Sequence, residues 1–175
     1  MTVTINGNGT ITPTSAVQPT GSILQVVQTV KTDTFTTTSG SATAITGLSV
    51  AITPSATSSK ILISANIAQG NSSEEYSNLL YLYKGGSVLT AATGDAASNR
   101  TRTTATQRQG AGDNGHQVVS IEYLDSPSTT SATTYAIYVS TESSTTCAVN
   151  RTTYDADQSY LGRSISTITA TEIAG

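Results

Sequence analysis

The chain has 175 residues, of which 11 % are charged, with a formal net charge of −3. Such a sparse, slightly acidic charge gives no basic field for a nucleic-acid backbone, and the apolar runs are far too short to span a bilayer. One cysteine excludes an internal disulfide, and the length is that of one domain, or of one domain with an arm.

The first segment, TVTINGNGTITPTSAVQPTGS, alternates polar and apolar residues from Thr2 to Ile5 and again from Thr10 to Thr12. Between them, Asn6-Gly7-Asn8-Gly9 is turn chemistry, because Asn and Gly tolerate the positive φ of a tight hairpin. Pro13 and Pro19 then break the pattern. A two-stranded hairpin is marginal in water, so residues 1–21 read as an extended N-terminal arm with a hairpin-like turn, and residues 22–175 as the folded domain. The arm has too little apolar surface to close on itself. Its expected use is to lie along a neighbouring chain, with Ile5, Ile11 and Val17 entering that partner.

Beyond the arm, no stretch sustains helical spacing, and period two recurs. SILQVVQTV and DTFTT are the first strands. Leu48, Val50 and Ile52 alternate in GLSVAIT, which Pro54 closes; Ile61, Ile63, Ala65 and Ile67 alternate in KILISANIA. NLLYLYK is apolar on both faces and ends at Lys84-Gly85-Gly86, a hairpin turn with SVLTAA as its expected partner. Residues 93–114 carry almost no large apolar side chain and three of the five arginines. They read as a long exposed loop with a frayed strand near Thr101 to Arg108. HQVVSIEYLD, TTYAIYVST, TTCAVNR and RSISTITATEI complete about ten short strands. Such spacing gives an all-β protein, an antiparallel sandwich or barrel. Ser and Thr supply about a third of the chain; β-branched Thr suits a pleated surface, so the exposed faces are hydroxylated rather than charged.

Chemistry finds little to work with. Any histidine-activated nucleophile must use His116, which follows a glycine-rich turn and starts a strand, a surface position. No Gly-x-Ser-x-Gly elbow or phosphate-cradling glycine loop occurs, and one histidine with one cysteine cannot form the usual zinc spacings. Glu74 and Glu75 are adjacent in a turn and read as solvated. Asp155 and Asp157 share the spacing that opens a calcium loop, without its glycine and late glutamate; a loop-bound cation is the alternative to a solvated pair. Cys147 lies in an alternating apolar run and is expected to be a small buried side chain. Eight tyrosines stand beside one phenylalanine and no tryptophan. That is more than one small core takes, so some should line interfaces or sugar-facing surfaces. The chain is expected to be no enzyme and to need no cofactor or metal. With no basic region followed by an apolar core at its start, it is expected to be made in a cytoplasm.

The phrases ITPSATSSKILISANI, GDAASNRTR, EYLDSPSTTSATTYAIYV and STITATEIAG resemble the β-sandwich modules of virion proteins in tailed bacteriophages, especially phages of cyanobacteria and marine bacteria. The resemblance covers roughly Ser22 to Gly175 and runs through Ser59-Lys60, Gly94-Asp95, Leu124-Asp125-x-Pro127 and the Thr-rich close. It implies a jelly-roll-like sandwich that works as a homotrimer on a particle surface. Such modules are most familiar in tail fibres, yet no shaft or tail-attachment domain is seen here. The leading expectation is therefore a non-enzymatic capsid cement or decoration protein. It would bind the major capsid protein of the same virion and be made in the bacterial host cytoplasm. The alternative is the receptor-binding distal head of a tail fibre, presenting residues 93–114 and tyrosines to a host surface glycan. A bacterial carbohydrate-binding or adhesive module is a third reading, disfavoured by the missing export signal. Neither nucleic acid nor membrane is an expected partner.

Overall fold

A computed structural model describes residues 4–5, 7, 11–12, 18–73, 75–108, 115–142 and 145–175. In the arm, β1 (Thr4–Ile5) pairs antiparallel with β2 (Ile11–Thr12), Thr4 opposite Thr12 and Ile5 opposite Ile11. Then follow β3 (Ile23–Lys31), β4 (Phe35–Thr37), β5 (Thr43–Ile52), β6 (Lys60–Asn71) and β7 (Ser77–Lys84). They are succeeded by β8 (Ser87–Val88), β9 (Ala105–Arg108), β10 (Gln117–Asp125), β11 (Thr133–Ser140), β12 (Cys147–Val149) and β13 (Ser166–Ile173).

The pairings are nested. Strand β7 takes β8 and β9, β6 takes β10, β5 takes β11, and β3 with β4 takes β13 with β12, all antiparallel. A chain paired in this way is one long ribbon. Rolling it up lays its halves side by side, which adds the contacts of β6 with β12 and β13 and of β7 with β11. The result is two sheets. The first runs β3/β4, β13/β12, β6, β10, and the second β5, β11, β7, β8/β9. This is the jelly-roll sandwich. Of SVLTAA, Ser87 and Val88 form the strand, Leu89 N still donates to the Leu82 carbonyl, and the chain then coils into a 3-10 turn at Thr90–Ala92, shorter than the sequence suggests. Gly85 and Gly86 both take positive φ, 57° and 83°, so the two-residue turn is set by glycine and not by the strand beyond it.

Between the sheets, the inward positions of each strand meet in one aliphatic core that includes Leu48, Ile63, Ile67, Leu82, Ile137 and Ile168, all essentially inaccessible. Burying such side chains is worth about 1.5–3 kcal/mol each, and it explains why β-branched residues at period two dominate here. Both ends of the core are polar. At one end Glu172, itself fully buried, accepts hydrogen bonds on Oε1 from Ser55 N, Ser55 Oγ and Ser59 Oγ at 2.6–2.7 Å, and on Oε2 from Gln25 Nε2 at 2.5 Å. Beside it, Asp125 accepts from the Tyr135 hydroxyl at 2.6 Å and from Lys84 Nζ at 2.9 Å. At the other end five amides form a ladder: Asn71 Nδ2 donates to Asn78 Oδ1, Asn78 Nδ2 to Gln69 and Gln107 Oε1, and Gln107 Nε2 to Gln117 Oε1.

Tyr135 is wholly buried, and burial, with the Asp125 hydrogen bond, pushes its phenol well above the ordinary range. Tyr135→Phe removes one bond to a charged acceptor and leaves Asp125 with Lys84 alone. The expected loss is about 2 kcal/mol, read as a lowered urea midpoint with an unchanged slope.

One junction joins both halves of the ribbon. The chain leaves β12 at Asn150, whose φ is 62°, for an excursion through residues 151–165. Asn150 Nδ2 donates to the carbonyls of Lys31 and Asp33 at the break between β3 and β4, and Ser166 Oγ donates to Asn150 Oδ1. The two interruptions of the ribbon thus sit at one level, locked by one side chain.

Candidate functional site

The residues singled out from sequence do not converge. Ile5 and Ile11 are opposite each other in the arm hairpin; Val17, Glu74 and residues 109–114 lie outside the described residues. His116 is not a surface residue. It is half-buried with Nδ1 3.2 Å from Ser164 Oγ, which ties the excursion to the start of β10. Burial lowers its pKa, partly offset by a hydrogen bond with the Ala68 backbone. Cys147 is buried as expected, and burial pushes its thiol up to about 12, far from a reactive thiolate. The Asp155 carboxylate stands 2.8 Å from Arg163 Nη2 and 3.6 Å from Arg151 Nη1, so its charge is answered within the chain. Among the described residues no three His, Cys, Asp or Glu side chains gather closely enough to hold a metal, and no helix is long and apolar enough to cross a membrane.

What the fold does assemble are two outer sheet faces. On the first sheet, cross-strand register sets the outward side chains in rows: Val30, Thr167, Asn66 and Ser120; then Gln28, Thr169, Ser64 and Glu122; then Val26, Thr171, Leu62 and Leu124. Gln28 Nε2 donates to Thr169 Oγ1 and Ser120 Oγ to Asn66 Oδ1. Glu122 and Lys60 are the charges in this array. Its two border strands carry five exposed large apolar residues: Ile23 (66 %), Val26 (58 %) and Val30 on β3, Val118 (64 %) and Leu124 on β10. Exposed apolar side chains collected on one face mark a contact surface.

The second sheet's outer face is aromatic. Tyr83 and Tyr138 stack with ring centroids 3.6 Å apart and 11° between planes. Tyr81, opposite Tyr138 in register, bonds through its hydroxyl to Ser140 Oγ. Burial, with Tyr138 and Tyr81 nearby, raises the Tyr83 phenol above its usual value. Beside it β5 bulges: Ser49 faces Ala136 and Ala44 faces Tyr138, so four residues of β5 lie opposite Ile137 alone. Gly47 makes that bulge with φ 80°, a conformation in which other residues are strained. The bulge opens a depression of about 400 Å³ against Tyr83 and Tyr138, and a second of about 200 Å³ lies against Tyr76 and Tyr81.

Sequence reasoning missed the first face, although its signal is present. QVVQTVK and QVVSIEYL carry apolar residues on both alternation phases, as a strand covered on both sides does. Both are border strands whose outward apolar residues stand open.

The chain thus belongs architecturally to the eight-position jelly rolls. No family model and no curated protein matches it. Among solved structures it is similar to infectious bursal disease virus of the Gt strain at 13 % identity and TM-score 0.45, covering 99 % of this chain and 47 % of that one. It is similar also to the Gx strain of that virus, at 14 % and 0.45 over 94 % of this chain and 43 % of that one. A third is the T=1 particle derived from Infectious Bursal Virus, at 11 % and 0.44 over 93 % of this chain and 41 % of that one. The chain spans less than half the length of these structures. Likeness at this level leaves function to the chain's own geometry.

Proposed function

We propose that this chain is a non-enzymatic structural protein of a bacteriophage particle, a homotrimeric cement or decoration protein on the capsid surface. Its arm ties neighbouring subunits of the major capsid protein together, with Ile5, Ile11 and Val17 seated in the partner. The observation that carries the reading is the outer face of the first sheet, which is hydroxyl-rich and nearly uncharged, with five large apolar residues open along its borders. Such a surface serves protein contact, and it avoids like-charge repulsion where copies crowd. The ionisable groups point the same way: Glu172, Asp125 and Lys84 are engaged in holding the sandwich together.

The arm is expected to be dispensable for the fold. Gly21 N donates to the Ala174 carbonyl, Ala174 N to that of Ser22, and Ser22 N to that of Pro19, so the sandwich is closed from Pro19 onward. Deleting residues 1–18 is expected to leave the thermal midpoint unchanged while abolishing attachment to particles that lack the protein. Undiminished attachment would rule out the arm as the clasp.

A second reading is favoured by the tyrosine face: the receptor-binding head of a tail fibre. Uncharged aromatic rings beside hydroxyls suit the apolar and polar faces of a neutral pyranose. Under that reading Tyr83→Ala removes binding to host surface glycans; under the cement reading it leaves particle attachment intact.

A further inference from the structure

We propose that His116 is an acid-sensitive latch: its imidazole holds the neck of the excursion through residues 151–165 at neutral pH and releases it on mild acidification. The latch stands apart from the particle reading above and needs no partner.

The excursion is a loop that can open by itself. Its two ends meet at Asn150, which accepts the Ser164 N–H on its backbone carbonyl at 3.1 Å and the Ser166 hydroxyl on Oδ1 at 2.7 Å. Between those ends the bonds are mostly local. Thr152 Oγ1 donates to the Tyr154 carbonyl, Arg151 Nη1 to those of Thr152 and Thr153, and Leu161 N to that of Gln158. Tyr154 and Tyr160 are exposed, and no side chain of the excursion belongs to the aliphatic core. A surface loop with close ends and little apolar burial opens at lower cost than the sandwich unfolds. Its side-chain tie to β10 is the Ser164 hydroxyl against His116 Nδ1.

That tie suits one charge state of the ring. A neutral imidazole carries one N–H and one bare nitrogen, whereas the cation carries two N–H groups that both need acceptors. His116 Nε2 is buried and has no hydrogen-bond partner. The Ala68 carbonyl beside it already accepts from Asn150 N at 2.8 Å. A second proton on the ring therefore finds its acceptor in water, and water reaches it when the excursion swings aside.

No neighbouring charge compensates. On the excursion, Asp155 is held between Arg163 and Arg151, and Asp157 is exposed. At the break between β3 and β4, Lys31 and Asp33 answer each other at 2.8 Å. On the strands alongside, Lys60, Asp125 and Glu172 lie at the Ile61 end of the first sheet, far from Gln117 and Gln69, and Glu122 stands opposite Ser64. Arg108 ends β9 in the second sheet. None of these acts on the ring: burial lowers its pKa from 6.5, and the Ala68 backbone offsets that only in part. The folded pKa lies below the unfolded one, so the latch is complete above pH 6.5 and is lost as pH falls through the folded value. His116 is the chain's one histidine, and no other side chain ordinarily titrates between about pH 5 and 7.

Hydrogen exchange read by mass spectrometry tests the latch on the full chain, at about pH 7 and about pH 5 with rates corrected for intrinsic exchange. Amides of residues 151–165 are expected to lose about tenfold in protection at the lower pH, while β6 and β11 stay protected. His116→Gln keeps a hydrogen-bonding group for Ser164 but cannot titrate, so its excursion should be equally protected at both. Full protection of the native excursion at the lower pH, or the same loss in His116→Gln, would overturn the latch. Proton NMR of the native protein decides the case in which the variant opens at both pH values. One histidine gives one ring resonance, expected to titrate below 6.5 in step with the Ser164 and Ile165 amides. A ring that titrates at 6.5 or above, or that titrates while those amides stay unmoved, would also overturn it.

Discussion

Glu172→Leu is expected to lower unfolding stability by about 4 kcal/mol, enough to threaten folding of a domain whose total is on the order of 5–15 kcal/mol. The carboxylate is fully buried and answers four donors: Ser55 N, Ser55 Oγ, Ser59 Oγ and Gln25 Nε2. Leucine leaves the buried Ser59 hydroxyl without its acceptor, at about 1–3 kcal/mol, removes the charged acceptor of the half-buried Gln25 amide and the exposed Ser55, and frees the corner after β5 from β13. These bonds join three distant pieces of chain, the start of β3, the corner after β5, and β13. Glu172→Gln is the gentler variant, since it keeps the volume and loses the charge. Burial by itself would raise this carboxyl, but the bonds from Ser55, Ser59 and Gln25 outweigh it and hold the pKa at about 2, against an ordinary 4.5. The folded pKa is depressed, so its contribution is complete above pH 4.5 and is lost as pH falls toward 2. Urea unfolding at a series of pH values should therefore show an acid limb between those values that Glu172→Gln flattens. An identical limb in both proteins would assign the acid sensitivity elsewhere.

Asn150→Ala is the second large effect, expected at about 4 kcal/mol. The variant loses two donations to the carbonyls of Lys31 and Asp33 and the bond from Ser166 Oγ, all within a buried junction. It also places a β-carbon residue at φ 62° without the local hydrogen bonding that lets asparagine sit there. Asn150→Gly divides the two costs. Glycine accepts the backbone angle freely and still lacks the side-chain bonds, so it should recover about 1 kcal/mol of the alanine loss. Equal destabilisation by both would mean that the hydrogen bonds alone fix the junction. Denaturant midpoints measured side by side decide it.

These two residues show where reading the chain succeeds and where it stops. The strands were legible because period two in KILISANIA or TTYAIYVST is imposed by the pleat itself, and Pro54 or Gly85-Gly86 ends a strand by its own backbone chemistry. The jelly-roll order was reachable only through the resemblance, since nested pairing of β3 with β13 joins residues far apart in sequence. Asn150 and Glu172 were invisible for the same reason: an asparagine after TTCAV and a glutamate in STITATEI look like surface residues until their partners at Lys31, Asp33, Ser55 and Ser59 are brought in by the roll. His116 was misjudged because the excursion that covers it, with Ser164, returns nearly fifty residues later (|i−j| = 48). The outer face of the first sheet carried a readable signal: Val26 and Val27, or Val118 and Val119, place apolar groups on both faces of a border strand, the first of each pair open to solvent and the second packed on the core.

The number of copies per particle tests the central claim most directly, by quantitative densitometry of this chain against the major coat protein in purified particles. A cement protein at the symmetry axes of a shell is predicted at hundreds of copies, in fixed proportion to the coat. A count of only tens would contradict it and hand the sandwich to the tip of a fibre, and absence from the particle would remove the virion role altogether.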